Sequence, residues 1–177
     1  MDKSVLFDNL RKNYSVLSEY NLFNYMFPPL RYFLELTYRC NLNCSFCFIN
    51  ENREKDEMTT KEWFDIINQI PFFSFISLVA GEVMIRADFF EILEKASQKT
   101  MGKVSIITNG LLLNEERIRL LIKYNLLLLS VSIDGFEENH DKIRGKNGLW
   151  DNIINNLNFL NEIKKKEMLN RPLVDIK

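Results

Sequence analysis

The stretch YFLELTYRCNLNCSFC, from Tyr32 to Cys47, joins a short apolar run to three closely spaced cysteines. Its first part, Phe33 to Tyr38, is rich in aromatic and apolar residues and predicts a β-strand. The cysteines follow directly, at the carboxyl end of that strand. Because α/β and barrel proteins build their sites at this end of their strands, we expect a functional site there.

Apolar runs of the same kind recur along the chain and alternate with amphipathic segments. We predict further strands at about Phe73 to Val79, Val104 to Thr108 and Leu127 to Ile133, and the opening of a fifth at Arg171 to Lys177. Such near-continuous runs are expected of parallel strands that are covered on both faces. An eight-unit barrel takes about 31 residues per unit, so residues 32–177 hold about four and a half βα units. The predicted fold class is therefore α/β, a partial (β/α) barrel of parallel strands that is truncated after the fourth unit.

Helix-start signals lie between the predicted strands. Thr59 and Asp88 each precede a glutamate by three residues, which is capping-box spacing. Asn114 can cap a third helix, and a fourth is predicted after Gly148. Residues 1–31 are predicted to be a helical and extended lead-in to the incomplete barrel of residues 32–177.

Composition excludes several classes of protein. The 177 residues carry 23 Lys plus Arg against 24 Asp plus Glu, so the net charge of −1 argues against nucleic acid as a partner. No run of 18 apolar residues occurs, and the first residues lack the order of a secretory signal. We therefore expect a cytoplasmic protein with no membrane partner, a compartment in which thiols stay reduced.

The three cysteines lie within eight residues, as Cys40, Cys44 and Cys47, and an odd, clustered set indicates a metal. Three thiolates can hold three corners of an iron–sulfur cube and leave one iron open to a ligand from outside the protein. Zinc is the alternative. It needs a fourth ligand, and the single histidine, His140, is far along the chain.

The loop CNLNCSFC, with Phe46 before its last cysteine, resembles the CxxxCxxC signature of radical S-adenosylmethionine (SAM) enzymes. Three further motifs extend the resemblance in the same order. Ala80-Gly81-Glu82 resembles the family's Gly-Gly-Glu-Pro motif, and SVSIDG, residues 130–135, resembles its fourth-strand motif. HDKIRG, residues 140–145, resembles the HDxIRG segment of members that modify peptides and often carry a SPASM or twitch extension.

The resemblance implies a radical SAM reaction. Cys40, Cys44 and Cys47 would ligate a 4Fe-4S cluster, and SAM would chelate the open iron through its amino and carboxylate groups. One electron from a flavodoxin or ferredoxin would lead to cleavage of SAM into methionine and a 5′-deoxyadenosyl radical. That radical would abstract hydrogen from a substrate, for which the HDKIRG segment favours a peptide or protein.

The resemblance also implies SAM contacts, which we assign to Phe46, Ala80, Gly81, Glu82, Ser132, Asp134 and Arg144. Phe46 would lie against the adenine, Glu82 would pair with the ammonium and Arg144 with the carboxylate. Ala80 stands where the family has glycine and Val83 where it has proline. An alanine there needs a conformation without the strain of a positive φ, and the loss of proline loosens the turn. No residue is assigned to the hydrogen abstraction itself.

Other interpretations remain open for individual residues. Glu82 could be a solvated loop glutamate, Asp134 part of an ordinary turn and Arg144 a surface arginine. The Thr108-Asn109-Gly110 segment either faces the site or is an Asn-Gly turn. Glu35 and Thr37 share one face of the first strand, which we expect to point into the barrel, and His140 is expected to shape its loop.

A second function is also compatible with the sequence. A chain whose fifth strand has only begun would be a truncated, non-catalytic iron–sulfur cluster-binding fragment that needs a partner or a missing C-terminal half. Weak SAM binding beside a normal cluster would favour this fragment over an enzyme.

Overall fold

The computed structural model describes residues 28–47, 49 and 56–177. Almost all of the predicted lead-in, residues 1–31, lies outside the described residues. The domain boundary proposed there therefore stays a prediction.

Five parallel strands form one sheet in the described part of the chain, and their order in the sheet is their order in the sequence. The strands are β1 (Arg31–Thr37), β2 (Phe75–Ala80), β3 (Val104–Thr108), β4 (Leu128–Val131) and β5 (Leu173–Ile176). The helices are α1 (Thr60–Gln69), α2 (Phe89–Thr100), α3 (Glu115–Lys123), α4 (Glu137–Arg144) and α5 (Leu149–Lys166), with a 3-10 turn at Val83–Ile85. This alternation is the predicted partial (β/α) barrel, including its fifth strand.

One face of the sheet carries the hydrophobic core. Leu34, Leu78, Ile106 and Leu129 lie side by side across β1 to β4, and all four are buried. Because the helices that follow the strands pack on this face, its apolar residues need no other cover.

The opposite face is polar, which the sequence reading of strands covered on both faces missed. Ser77 and Ser105 share a hydrogen bond of 2.8 Å between their hydroxyls, and Ser130 donates to Asp175 over 3.3 Å. Phe33 on this face is 63% exposed, although Leu34 beside it is buried. Side chains that point to the inside of a barrel line its cavity, so they need not be apolar.

Thr59, Asp88 and Asn114 all precede their helices as predicted, but only Thr59 and Asn114 make cap hydrogen bonds. Thr59 and Glu62 form the capping box of α1, and Asn114 accepts from the Arg117 backbone N–H over 2.8 Å at the start of α3. Asp88 makes no cap hydrogen bond to α2. Its carboxylate accepts instead from Arg86 and Thr60, because a charged guanidinium is a stronger partner than a backbone amide.

No helix in the described ranges is long and apolar enough to cross a membrane.

Candidate functional site

The cysteine loop lies at the carboxyl edge of the sheet and lines a cavity there. Within the loop, the Cys47 backbone N–H donates to the Cys44 carbonyl over 3.1 Å, which turns the chain back on itself. The residues that line the cavity are Cys40, Leu42, Cys44, Phe46, Cys47, Ile49, Ala80, Gly81, Ile107, Thr108, Asn109, Ser132 and Arg144. All three predicted metal ligands therefore face one space.

The loop after β2 lies directly against the chain that enters the cysteine loop. The Gly81 N–H donates to the Thr37 carbonyl over 2.8 Å, and the Glu82 N–H donates to the Arg39 carbonyl over 2.9 Å. A Cβ atom at Gly81 would lie 2.1 Å from the Arg39 oxygen, so only glycine fits this position. Ala80 has a φ of 84°, in the left-handed region that favours glycine. Ala80 therefore lacks the unstrained conformation that the sequence analysis expected of an alanine here.

Glu82 is fully buried, so its interpretation as a solvated loop residue is wrong. Its carboxylate accepts from the Thr108 hydroxyl over 2.9 Å and from the backbone N–H groups of Asn109 and Met84 over 2.8 and 3.2 Å. Burial raises the pKa of Glu82, and these hydrogen bonds oppose the rise. The carboxylate is held behind the cavity wall, with Thr108 and Asn109 between it and the cysteines.

Arg144, at the end of α4, reaches the cysteine loop. Its Nε donates to the Asp134 carboxylate, and its Nη1 lies 3.9 Å from the Cys44 sulfur. Its guanidinium carbon lies 5.4 Å from the centre of the Phe46 ring. With a side chain only 12% exposed, Arg144 is not a surface arginine. A single cation therefore contacts a predicted metal ligand, the predicted adenine contact and a carboxylate.

His140 and Asp141 of the HDKIRG segment have structural roles in addition to that of Arg144. His140 is buried, and its Nδ1 accepts from the Asp134 backbone N–H over 3.2 Å. Burial lowers the pKa of His140, so the ring is neutral and can accept this bond. Asp141 accepts from the backbone N–H groups of Gly148 and Trp150 at the start of α5. The segment thus fixes both the Asp134 loop and the next helix, as expected for His140.

Asn109 contacts the cysteine loop, whereas the sequence left open whether its segment faces the site or only forms a turn. Its side-chain Nδ2 donates to the Cys40 sulfur over 3.6 Å and to Asn41 Oδ1 over 2.8 Å. Asn109 is therefore more than a turn residue, and it touches the cysteine loop from the carboxyl end of β3. The two partners are 69 positions apart in the sequence, so no local spacing predicts this contact.

Glu35 and Thr37 were expected to share one face of the first strand, but the strand is irregular between them. The register of β1 against β2 shifts between them, so they do not follow a regular alternation. Glu35 is exposed and accepts from the Tyr38 hydroxyl, whereas Thr37 is buried and donates to Glu57.

Arg86 is a buried arginine that the sequence analysis missed. Its guanidinium donates to the carbonyls of Leu36 and Met58, each over 3.0 Å, and pairs with Glu57 and Asp88 over 3.2 and 2.7 Å. It joins the end of β1 to the chain that leads into α1. We call Arg39, Glu57, Arg86 and Asp88 the loop-anchor network, because Arg39 also pairs with Glu57 over 2.7 Å.

Comparison with known proteins identifies the family. Residues 34–174 match the Radical SAM superfamily, which is most of the chain. The chain belongs to the radical SAM superfamily. The four motifs of the sequence and the partial barrel with its cysteine loop agree with this assignment.

Relatives of this radical SAM chain are considerably longer. It is 29% identical over 137 residues to the sporulation killing factor maturation protein SkfB of Bacillus subtilis, which covers 76% of this chain and 33% of SkfB. It is 32% identical to the mycofactocin maturase MftC of Mycolicibacterium smegmatis, over 71% of this chain and 33% of MftC. The chain thus spans about a third of the length of the curated relatives it matches.

A solved structure supports the fold. Streptococcus suis SuiB bound to S-adenosylmethionine matches with a TM-score of 0.70 at 20% identity, over 84% of this chain and 33% of SuiB. The predicted α/β partial barrel is confirmed.

The superfamily uses a 4Fe-4S cluster and SAM, and the residues of this chain fit the cluster. Within the described ranges, no three His, Cys, Asp or Glu side chains are close enough to share one metal ion. The three thiols instead surround a common cavity, as a multi-atom cluster requires. Asn109 donates to Cys40, and Arg144 lies near Cys44, which suits ligands that must be thiolates. The superfamily assignment favours the cluster over zinc.

The predicted SAM contacts divide into two groups. Phe46, Ala80, Gly81, Ser132 and Arg144 line the cavity beside the cysteines, whereas Glu82 and Asp134 do not. Glu82 lies behind Thr108 and Asn109, and Asp134 is paired with Arg144.

Proposed function

We propose that this chain is the cluster-binding and SAM-binding core of a radical SAM enzyme that acts on a peptide or protein. The observation that carries the proposal is one cavity lined by three cysteines, the loop after β2, Ser132 of the fourth-strand motif and Arg144. These groups come from four separate parts of the sequence. A single cavity that gathers them can hold a cluster and a bound nucleoside together.

The thiolates of Cys40, Cys44 and Cys47 would hold the 4Fe-4S cluster. When bound and reduced, the cluster supplies the electron that cleaves SAM homolytically and so starts hydrogen abstraction from the substrate. The chain's own residues bind and orient. Phe46, which lies between Cys44 and Cys47 in the sequence, would lie along the adenine.

Two charged residues are suited to the amino-acid end of SAM. Glu82 is buried, held by three donors and outside the cavity lining, so the SAM ammonium would reach its carboxylate only after Thr108 moved aside, and the ammonium would then stabilise the ionised form. Arg144 would turn from Asp134 toward the SAM carboxylate, because a guanidinium binds carboxylates of either origin.

A peptide or protein substrate is supported by the relatives. SkfB and MftC are named for maturation, another relative is a PqqA peptide cyclase, and a matching SuiB structure holds a precursor peptide. The HDKIRG segment points the same way. We further propose a flavodoxin or ferredoxin as the electron donor and a cytoplasmic location.

The test is anaerobic incubation of the reconstituted chain with SAM, a reductant and a panel of synthetic peptides. We expect methionine and 5′-deoxyadenosine to form, faster when a suitable peptide is present, and that peptide to change in mass. A Cys44→Ala variant should form neither product. Cleavage that no peptide accelerates would contradict the substrate class, and a loaded protein that cleaves no SAM would contradict the enzyme.

A second candidate is a cluster-binding core that is not catalytic without a partner or further chain. It is favoured by β5, where Val174 and Ile176 occupy the core-side face of the sheet yet are 43% and 51% exposed. Normal cluster assembly with weak SAM binding and no cleavage would identify it.

A further inference from the structure

The Asn109 side chain lies between two parts of the site. Its Nδ2 is 3.6 Å from the Cys40 sulfur and 2.8 Å from Asn41 Oδ1. Its backbone N–H donates to Glu82 over 2.8 Å. One residue therefore contacts both a predicted cluster ligand and the predicted ammonium-binding carboxylate.

The orientation of the Asn109 amide is fixed by its surroundings. Its Oδ1 accepts from the Leu111 backbone N–H over 2.9 Å, so the oxygen has a donor partner. A flipped amide would place NH₂ against that N–H and oxygen against Asn41 Oδ1, which is unfavourable on both sides. Asn109 is also 7% exposed, so water does not compete freely for its donors.

We infer that Asn109 is a positioning residue that raises the reduction potential of the cluster through an N–H···S hydrogen bond to Cys40. This inference rests on the proposed cluster. Reduction adds negative charge that is shared with the cysteine sulfurs, and a donor at the sulfur stabilises the reduced form more than the oxidised form.

The test is the potential of the reconstituted cluster in the wild-type chain and in Asn109→Leu, measured by electron paramagnetic resonance in a poised titration without SAM. At a fixed solution potential, the ratio of reduced to oxidised cluster should fall about tenfold in the variant. For a one-electron couple this corresponds to about 59 mV. Activity is not needed for the measurement.

Asn152→Ala is the matched control. Asn152 donates to the Gly110 carbonyl over 3.0 Å and supports the same turn from α5 without touching a cysteine. If Asn109 only stabilised the turn, both variants would shift the potential alike. The inference requires a shift in Asn109→Leu and none in Asn152→Ala.

Asn109→Asp serves if Asn109→Leu takes up no iron. Aspartate keeps the acceptor for Leu111 but loses the donor to Cys40, so its potential should fall by at least as much. An unchanged potential in the loaded variant would overturn the inference. Failure of the wild-type chain to form a cluster would instead contradict the proposed function, so the two failures are distinguishable.

Discussion

At the scale of single residues, Ala80 shows how the site tolerates a departure from its motif. The residue has a φ of 84°, in the left-handed region that favours glycine, while the Gly81 and Glu82 amides reach the carbonyls of Thr37 and Arg39. A side chain in this region costs about 1 to 2 kcal/mol.

Ala80→Gly should therefore stabilise the cluster-free protein. Relief of the strain outweighs the extra freedom of glycine in the unfolded chain, so the net gain should be about 0.5 to 1 kcal/mol in urea unfolding. Ala96→Gly, in the middle of α2, is the matched control and should cost about 1 kcal/mol. A loss of stability in Ala80→Gly would contradict the strain.

Glu82 should make stability depend on pH. Because burial raises its pKa, the folded state holds the proton more tightly than the unfolded state, and stability is lost as the pH rises above the unfolded pKa of 4.5. Glu82→Gln removes this pH-dependent loss of stability, but it also disturbs the hydrogen bonds that Thr108, Asn109 and Met84 donate to the carboxylate. The stability of Glu82→Gln relative to wild type should therefore improve as the pH rises from about 5 toward 8, by at most about 1.4 kcal/mol per pH unit. Urea unfolding of both proteins across that range measures the difference, and a constant difference would contradict it.

Sequence alone predicted the cysteines and the loop after β2, since both are local patterns. It left Asp134, Arg144 and Asn109 undecided because their partners lie elsewhere in the chain. Arg144 contacts a sulfur 100 residues away. Contacts of this kind depend on how the strands and helices pack, and the spacing of residues in the sequence does not predict that packing.

At the scale of elements, the loop-anchor network joins the chain that enters the cysteine loop to the chain that leads into α1. Arg86 is the buried member, and it bonds two carbonyls and two carboxylates across β1, the chain before α1, and the start of α2. Arg39 is the exposed member, with half of its side chain in solvent. Substitutions of Arg86 and Arg39 therefore compare a buried and an exposed arginine within one network.

Arg86→Met should cost about 3 kcal/mol in urea unfolding of the cluster-free protein, because it removes the donor of two buried carbonyls and a positive charge from beside Glu57 and Asp88. Arg39→Met should cost less than about 1 kcal/mol, since solvent replaces its hydrogen bonds. Equal effects of the two substitutions would show that burial does not set the strength of the network.

The helices also mark what sequence can predict. The capping box at Thr59 and the cap at Asn114 could be predicted from sequence, because each residue bonds a backbone N–H of its own helix only three positions away. Asp88 has the same spacing but bonds Arg86, and α4 was missed because its eight residues are mostly polar and bury only His140. A local signal predicts an element only where no stronger distant partner competes for it.

At the scale of the whole molecule, the parallel sheet separates two roles. One face carries the apolar core under the helices, and the other carries hydroxyls and carboxylates on the barrel's inner side. The cysteine loop, the loop after β2 and the β4–α4 connection all leave the sheet at its carboxyl edge. The parallel topology thus brings distant motifs to one cavity.

The most direct measurement is electron paramagnetic resonance of the anaerobically reconstituted and reduced protein, with and without SAM, beside the Cys44→Ala variant. We predict a 4Fe-4S signal that shifts when SAM is added, because SAM occupies the open iron, and no such signal in the variant. A cluster signal that SAM leaves unchanged, or no cluster in the wild-type chain, would contradict the account.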